Sequence, residues 1–256
     1  MPMRALYLIY GVACYALFLI TVLYAIGFVG NFWQPLGLKG ELLRSMDSGG
    51  PVAPLVEALV IDALLVLVFG IQHSVMARAG FKRWWTRLVP APIERSSFVL
   101  ASSLCLALLF WQWRPIAAPV LWDWSDGPLA FALVGISGLG WLFVLASTFM
   151  LDHFELFGLS QVWFAFRGKP RPELEFSTPG FYRAVRHPIY LGFMIAFWAT
   201  PIMTLSHFLF AAGTTAYILV AVRLEERDLV RHYGETYRDY RRRVRMLLPL
   251  PVRRSG

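Results

Sequence analysis

Two polar clusters in this 256-residue chain have residue types and spacings suited to chemistry. The first is Arg186-His187-Pro188-Ile189-Tyr190. Proline favours the first position of a helix and biases the residue before it away from helical backbone. A helix therefore begins at Pro188, with unpaired N–H groups in its first turn and a guanidinium just upstream. Such a helix start attracts a carboxylate or a phosphate. Basic flanking of an apolar segment accounts for Arg183 and Arg186, but not for His187-Pro188-Ile189-Tyr190. Farther on, the adjacent acids Glu225 and Glu226 can bind a ligand's hydroxyls or ammonium group, or pair with Arg223 and Arg227. Tyr237 and Tyr240 follow in Tyr233-Gly234-Glu235-Thr236-Tyr237-Arg238-Asp239-Tyr240. They sit three apart on a basic, partly amphipathic helix that lies on a membrane surface or packs its rings inward.

The second cluster is Asp152-His153-Phe154-Glu155, continuing to Gln161. On a continuing helix Asp152 and Glu155 are i,i+3 neighbours, with His153 one step round. Carboxylates beside a histidine in a half-buried segment shift pKa values and can move protons near neutral pH. The same acidic pair can equally anchor a helix end. Asp62 and His73 form a third polar stripe, about 16 Å long on one helix face. Polar groups in an apolar helix are costly, so this stripe faces protein, as a functional pair or as interhelical hydrogen bonds. Glu57 falls on another face, near the outer interface, and reads as structural. The Asp/His/Glu spacing matches no compact ligand motif, so no metal is expected.

These groups sit in a very apolar chain. Charged residues make up 16%, against about 25% in ordinary globular domains. Apolar residues reach 57%, and mean hydropathy is +0.56. They form continuous runs rather than the alternation of a membrane β-barrel, which excludes soluble enzymes, secreted modules and disordered tails. Cys14 and Cys105 lie inside such runs and indicate neither a disulfide framework nor a zinc site. No small-residue cleavage site follows the first run, so no cleavable signal peptide is expected. Runs at 5–30, 55–76, 96–113 and 128–151 each suit one crossing, for which roughly 20 residues are needed. The last run, 188–222, has 35 residues, too many for one crossing and just enough for two short ones. Thr200-Pro201 and Ser206-His207 near its middle mark a break.

Charge orients these segments. Of 24 Lys and Arg residues, ten lie in the tail, five in the stretch 78–95 and five in the connection 152–187. The positive-inside rule places all three in the cytoplasm. The last apolar stretch must then return to the side it entered, as a hairpin that crosses fully or re-enters. The expected fold is an all-α integral membrane protein: four transmembrane helices plus a C-terminal helical hairpin, five to six crossings, both termini cytoplasmic, and a basic cytoplasmic tail helix. It reads as a single membrane domain over 1–256, with a four-helix part at 1–151 and loop, hairpin and tail at 152–256. The net charge of +8 then reflects topology and contact with membrane lipids, each basic residue near anionic headgroups contributing roughly 1 kcal/mol. No recognition motif accompanies it, so no nucleic acid is expected.

The order Arg-His-Pro-x-Tyr, hydrophobic hairpin, Glu-Glu and Tyr-Gly-x-x-Tyr-x-x-Tyr covers roughly residues 178–249. It resembles the C-terminal half of the isoprenylcysteine carboxyl methyltransferase-like superfamily, integral-membrane enzymes with phospholipid methyltransferase relatives. Gln72-His73-Ser74-Val75-Met76-Ala77-Arg78 and the segment from Asp152 to Leu159 resemble its bacterial methanethiol S-methyltransferase family, itself related to NnrU-type membrane proteins. That resemblance implies methyl transfer from S-adenosylmethionine to methanethiol, a small thiol, giving dimethyl sulfide on the cytoplasmic side of a bacterial inner membrane. It implies cofactor contacts at Tyr182, Arg186, His187, Pro188, Tyr190, Glu225 and Glu226, with Tyr237 and Tyr240 in the same site. His73, Asp152, His153 and Glu155 would lie near the thiol. The Gly-rich loop of soluble methyltransferases is absent, as in that superfamily, so cofactor binding rests on the hairpin motif. In the implied reaction His153 takes the thiol proton, oriented by Asp152 or Glu155, with His73 as alternate or support. The superfamily also admits a prenylcysteine or phospholipid acceptor, and the NnrU relation a non-catalytic membrane role.

Overall fold

A computed structural model describes residues 2–33, 37–38, 40, 42–172 and 175–249. Parts of the connection between the first two apolar runs and of the connection 152–187 therefore lie outside the described residues. In chain order the elements are α1 (Pro2–Gly30), α2 (Leu55–Ala77), a short α3 (Ala79–Trp85), α4 (Glu94–Gln112), β1 (Val120–Asp123) and α5 (Pro128–Leu151). Then follow α6 (His153–Leu156), α7 (Leu159–Arg167), α8 (Pro188–Trp198), β2 (Ile202–Thr204), α9 (Leu205–Tyr233) and α10 (Glu235–Arg243). Among the described residues five helices, α1, α2, α4, α5 and α9, are long and apolar enough to cross a membrane, with α8 shorter but equally apolar. The chain is thus an all-α integral membrane protein. Local departures from expectation are the helices α3 and α7 inside polar connections and a two-stranded ribbon of β1 and β2.

Contacts divide the chain into two compact units. The first comprises Met1–Asp123, Phe154–Glu173 and Ile202–Phe210; the second comprises Trp124–His153, Leu174–Pro201 and Ala211–Gly256. In the first unit α1 packs on α4 through aromatic rings. Phe28 lies 4.8 Å from Phe110 and meets Trp113 edge-on at 6.3 Å. The Trp113 indole donates to Ser206 Oγ at 2.9 Å. The Asp62–His73 stripe faces α4, as its polarity requires. Asp62 Oδ1 accepts the Arg114 backbone N–H at 2.9 Å, and His73 Nδ1 lies 3.2 Å from Ser102 Oγ with its ring against Phe98. Glu57 is exposed on another face. The segment 114–127 contains β1, whose Trp122 pairs with Met203.

In the second unit α5 and α8 touch through small residues. A Cβ on Gly140 would lie 2.7 Å from the Ala196 nitrogen, and one on Gly192 would lie 2.9 Å from the Gly140 oxygen. Side chains there would force the backbones apart. Ser137 Oγ closes the contact by donating to Ala196 O at 2.9 Å. The long C-terminal apolar run breaks where Thr200-Pro201 stands: α8 stops at Trp198 and α9 restarts at Leu205. Thr204 caps the new helix, its Oγ1 accepting the His207 N–H at 3.1 Å. Trp198 then bonds Thr215, and Tyr190 bonds Glu225. Moving back along α8 thus matches moving forward along α9, so the two helices form an antiparallel hairpin.

The close α5–α8 crossing carries a prediction. Gly192→Val should lower stability by about 1–3 kcal/mol, the ordinary cost of overpacking. This would register as a lower thermal unfolding midpoint in detergent. Gly135→Val, on a part of α5 with open space around it, should leave the midpoint nearly unchanged.

Candidate active site

The Arg-His-Pro motif enters α8 as its residue types require. Pro188 is the first helical residue, and His187 before it has φ −127° and makes no side-chain cap. The first intrahelical bond is Leu191 N–H to His187 O, so the N–H groups of Ile189 and Tyr190 precede any intrahelical acceptor. Upstream, the backbone is held by the tail. Val185 bridges Arg245 in parallel, Arg186 N–H donates to Arg245 O at 2.9 Å, and His187 N–H donates to Met246 O at 3.1 Å.

One buried carboxylate organises the side chains. Glu226 Oε1 accepts from Arg186 Nε at 2.7 Å and lies 3.1 Å from His187 Nε2, while Oε2 is 3.2 Å from Arg241 Nε. Arg186 also donates Nη1 to the Arg241 and Val244 carbonyls. Helix geometry turns the neighbouring residue by about 100°, and Glu225 accordingly faces Tyr190, whose hydroxyl donates to Oε2 at 3.0 Å. The predicted residues Arg186, His187, Tyr190, Glu225 and Glu226 are therefore brought together, with Pro188 starting the helix between them.

The tyrosines form a second layer. Tyr240 donates its hydroxyl to Tyr182 O at 2.5 Å, and Tyr182 donates to Ser147 O near the end of α5 at 3.4 Å. Tyr237 and Tyr240 are 2% and 5% exposed, so the tail helix packs these rings inward rather than presenting them to lipid. Phe176 collects Tyr233, Tyr237 and Tyr240 at ring separations of 5.2, 5.8 and 5.5 Å. Burial raises all three phenols. The Glu225 charge adds to it at Tyr182, and Glu226 adds to it at Tyr237. Tyr240 is pushed up to about 12, burial outweighing the Arg186 charge. All three stay protonated at neutral pH, and Tyr182 and Tyr240 serve as donors.

The Asp152–Gln161 segment is not the continuing helix that the spacing suggests. α5 ends at Leu151, Asp152 takes φ +146°, and the chain restarts in α6 and, after Gly158, in α7. A positive φ on a non-glycine residue is strained, though aspartate tolerates it better than most. Behind this kink His153 is 4% exposed and stacks flat on Phe149 at 4.2 Å. Its Nδ1 lies 2.8 Å from Thr148 Oγ1. The Thr148 hydroxyl proton is already committed to Leu145 O at 2.7 Å. With that proton on Leu145 O, the threonine oxygen is placed to accept from Nδ1–H, the tautomer that carries its lone pair on Nε2. Burial lowers the His153 pKa more than the Asp152 charge raises it.

Glu155 is engaged by Gln161 Nε2 at 2.9 Å and Arg171 Nη1 at 3.0 Å, within the first unit. His73 belongs to that same unit, on Ser102. Among the described residues no group of three His, Cys, Asp or Glu side chains could hold a metal ion. Sequence reading passed over Thr148, Phe176, Arg241 and the tail backbone at 245–246. Only Arg241 carried a signal, as part of the basic run Arg241-Arg242-Arg243.

Comparison with known proteins places the chain in a family. The family model described as phospholipid methyltransferase matches residues 131–236, which include α8, α9 and His153. A methanethiol S-methyltransferase of Mycobacterium tuberculosis is 54% identical, covering 98% of this chain and 99% of that protein. Methanethiol S-methyltransferase 2 of Bradyrhizobium diazoefficiens is 53% identical over 96% of this chain and 91% of its own. The Crocosphaera subtropica methanethiol S-methyltransferase is 50% identical over 98% and 95%. No solved structure matches. An apolar helical chain with this hairpin motif defines an integral-membrane methyltransferase. Within that class, the chain belongs to the methanethiol S-methyltransferase family.

The two adjacent acids should separate by stability. Removing one partner of a buried ion pair costs about 3–5 kcal/mol, so Glu226→Ala should sharply lower the thermal unfolding midpoint. Glu225→Gln retains an acceptor for Tyr190 and should leave it nearly unchanged.

Proposed function

We propose that this enzyme transfers a methyl group from S-adenosylmethionine to a small apolar thiol, methanethiol, giving dimethyl sulfide. The observation that carries this reading is His153, a buried neutral imidazole held by Thr148 with its lone pair on Nε2. The donor set fits the cofactor's chemistry. The uncapped first turn of α8 suits its carboxylate, Glu225 its ammonium or ribose hydroxyls, and the group of Phe176, Tyr237 and Tyr240 its aromatic base. Arg186, His187, Pro188 and Tyr190 build and orient that turn. Glu226 holds the Arg186 and His187 side chains in place, and Tyr182 anchors the preceding turn to α5. When bound, the cofactor supplies a methyl carbon on positively charged sulfur, already activated for displacement.

A thiol near its ordinary pKa of ~8.5 is mostly protonated at neutral pH. His153 accepts the thiol proton on Nε2, leaving a thiolate to form the new carbon–sulfur bond. Thr148 fixes the tautomer, and the Asp152 charge stabilises the imidazolium that forms. Glu155 and His73 have supporting parts, Glu155 by holding α6 against Gln161 and Arg171, and His73 by tying α2 to α4. Apolar surroundings disfavour separated charges, which favours thiolate and sulfonium collapsing to neutral products. A thiol of this kind dissolves in lipid and can enter from the membrane. The basic segments support an inner-membrane location with both termini in the cytoplasm.

The test is purified protein with labelled S-adenosylmethionine and methanethiol, with dimethyl sulfide measured in the headspace. Turnover only with a prenylcysteine analogue or an ethanolamine lipid would assign a different acceptor. His153→Gln should lose turnover while still binding cofactor; full turnover would remove it as the base.

The pH dependence follows from the lowered His153 pKa. The native imidazole binds protons less readily than the unfolded one, so the neutral base persists as pH falls through ~6.5. The kcat/KM profile should hold through that value and decline at lower pH. Asp152→Asn removes the charge that raises this pKa and should move the acid limb to still lower pH.

A further inference from the structure

Outside the candidate methylation site, the first unit contains a groove of about 350 Å³ between α1, the segment after α3, and α4. That volume lies in the range of small-ligand sites, ~300–1,000 Å³. One side is apolar, formed by Leu100, Ala101 and Leu104 of α4. Leu104 is 55% exposed, so the groove opens on a face that is apolar and belongs to a candidate membrane span. Its polar features are few. The Tyr10 and Ser97 hydroxyls bond each other at 3.0 Å, and the Trp85 Nε1–H in the wall has no acceptor among the described residues.

Charge beside this groove is strongly one-sided. The segment from Arg78 to Arg95 holds five basic residues and one acid, Glu94. α3 and the turn after it carry Lys82, Arg83 and Arg87, together with exposed Trp84 and Leu88. Aromatic and basic residues mixed in this way belong at a membrane–water interface. Among the described residues no ion pair engages Lys82, Arg83 or Arg87. Lys82 has its pKa lowered, by burial first and then by the positive charges of Arg95 and Arg171, with Glu94 opposing. This cluster therefore favours an anion, and the groove next to it favours an aliphatic chain.

We propose that the groove seats one acyl chain of an anionic phospholipid, whose phosphate rests on Lys82, Arg83 and Arg87. A lipid joins both features in one molecule. The chain fills apolar space that water would occupy poorly, and the headgroup supplies negative charge that the protein lacks at this end. Arg83 and Arg87 are exposed, so they can meet a headgroup without repacking.

Native mass spectrometry of protein released from mixed phosphatidylglycerol and phosphatidylcholine bilayers tests this. The wild type should retain one lipid, with phosphatidylglycerol favoured roughly tenfold. Arg83→Gln with Arg87→Gln should bring the two lipids close to parity while a lipid is still retained. Ala101→Phe, which fills the groove, should lose the retained lipid of either kind. Equal retention of both lipids by the wild type would overturn the proposal, as would a preference unchanged in the double charge variant. So would a dimer abolished by Ala101→Phe, because the groove would then belong to a second copy of the chain. Should Ala101→Phe fail to fold, the two exposed arginine substitutions decide the matter.

Discussion

A carboxylate buried in an apolar hairpin must be paired, and the site is built around that requirement. Glu226 is buried, and leaving it unpaired would be far costlier than ordering the three side chains that meet it. Arg186 and His187 come from just before α8, Arg241 from α10. One residue on α9 thereby ties the start of the hairpin to the tail. Arg186 strengthens the tie by donating to two tail carbonyls, and the backbone at 185–187 pairs with 245–246. The first turn of α8 and the Glu225–Tyr190 pair take their positions from this knot.

A second chain of contacts links that knot to the end of α5. Tyr240 bonds the Tyr182 carbonyl, Tyr182 bonds the Ser147 carbonyl, and Phe181 stacks on Phe143 at 4.3 Å. One residue beyond Ser147, Thr148 holds His153. The candidate base and the hairpin motif thus share one helix as their support, itself pressed against α8 through Gly140 and Gly192. Catalytic groups carried on rigid elements hold their geometry better than groups on loops. Burial here keeps His153 neutral, because it lowers the pKa of the ring more than the Asp152 charge raises it. The strained Asp152 lies between this helix and α6, where a smooth helix would have continued.

Several of these features were legible in the residues. Pro188 marked the start of α8, the runs of apolar residues marked the long helices, and Thr200-Pro201 marked the hairpin break. Other features left little trace. α3 is too short for a periodic pattern, and the positive φ of Asp152 falls on a residue type that gives no turn signal of its own there. β1 is only four residues and exists because β2 lies opposite it. Phe176 sits in an irregular segment where one aromatic residue resembles any other. The threonine five residues before His153, which meets its Nδ1, left no trace in the pattern, because one hydroxyl in an apolar helix resembles any other.

The sequence by itself determined the apolar helices, the hairpin and the family, since each rests on composition or motif contiguous along the chain. Local sterics, the cost of polar groups in lipid and the order of a short motif suffice for these. Only the tertiary structure decided how the polar groups divide: Glu226 to the cations, Glu225 to Tyr190, Thr148 to His153, and the tail onto the Arg-His-Pro segment. Such choices depend on the rotational phase of one helix against another and, for the hairpin and tail, on contacts between residues up to 58 positions apart. A single acid placed one step earlier or later along α9 would face a different partner, and no local pattern records which.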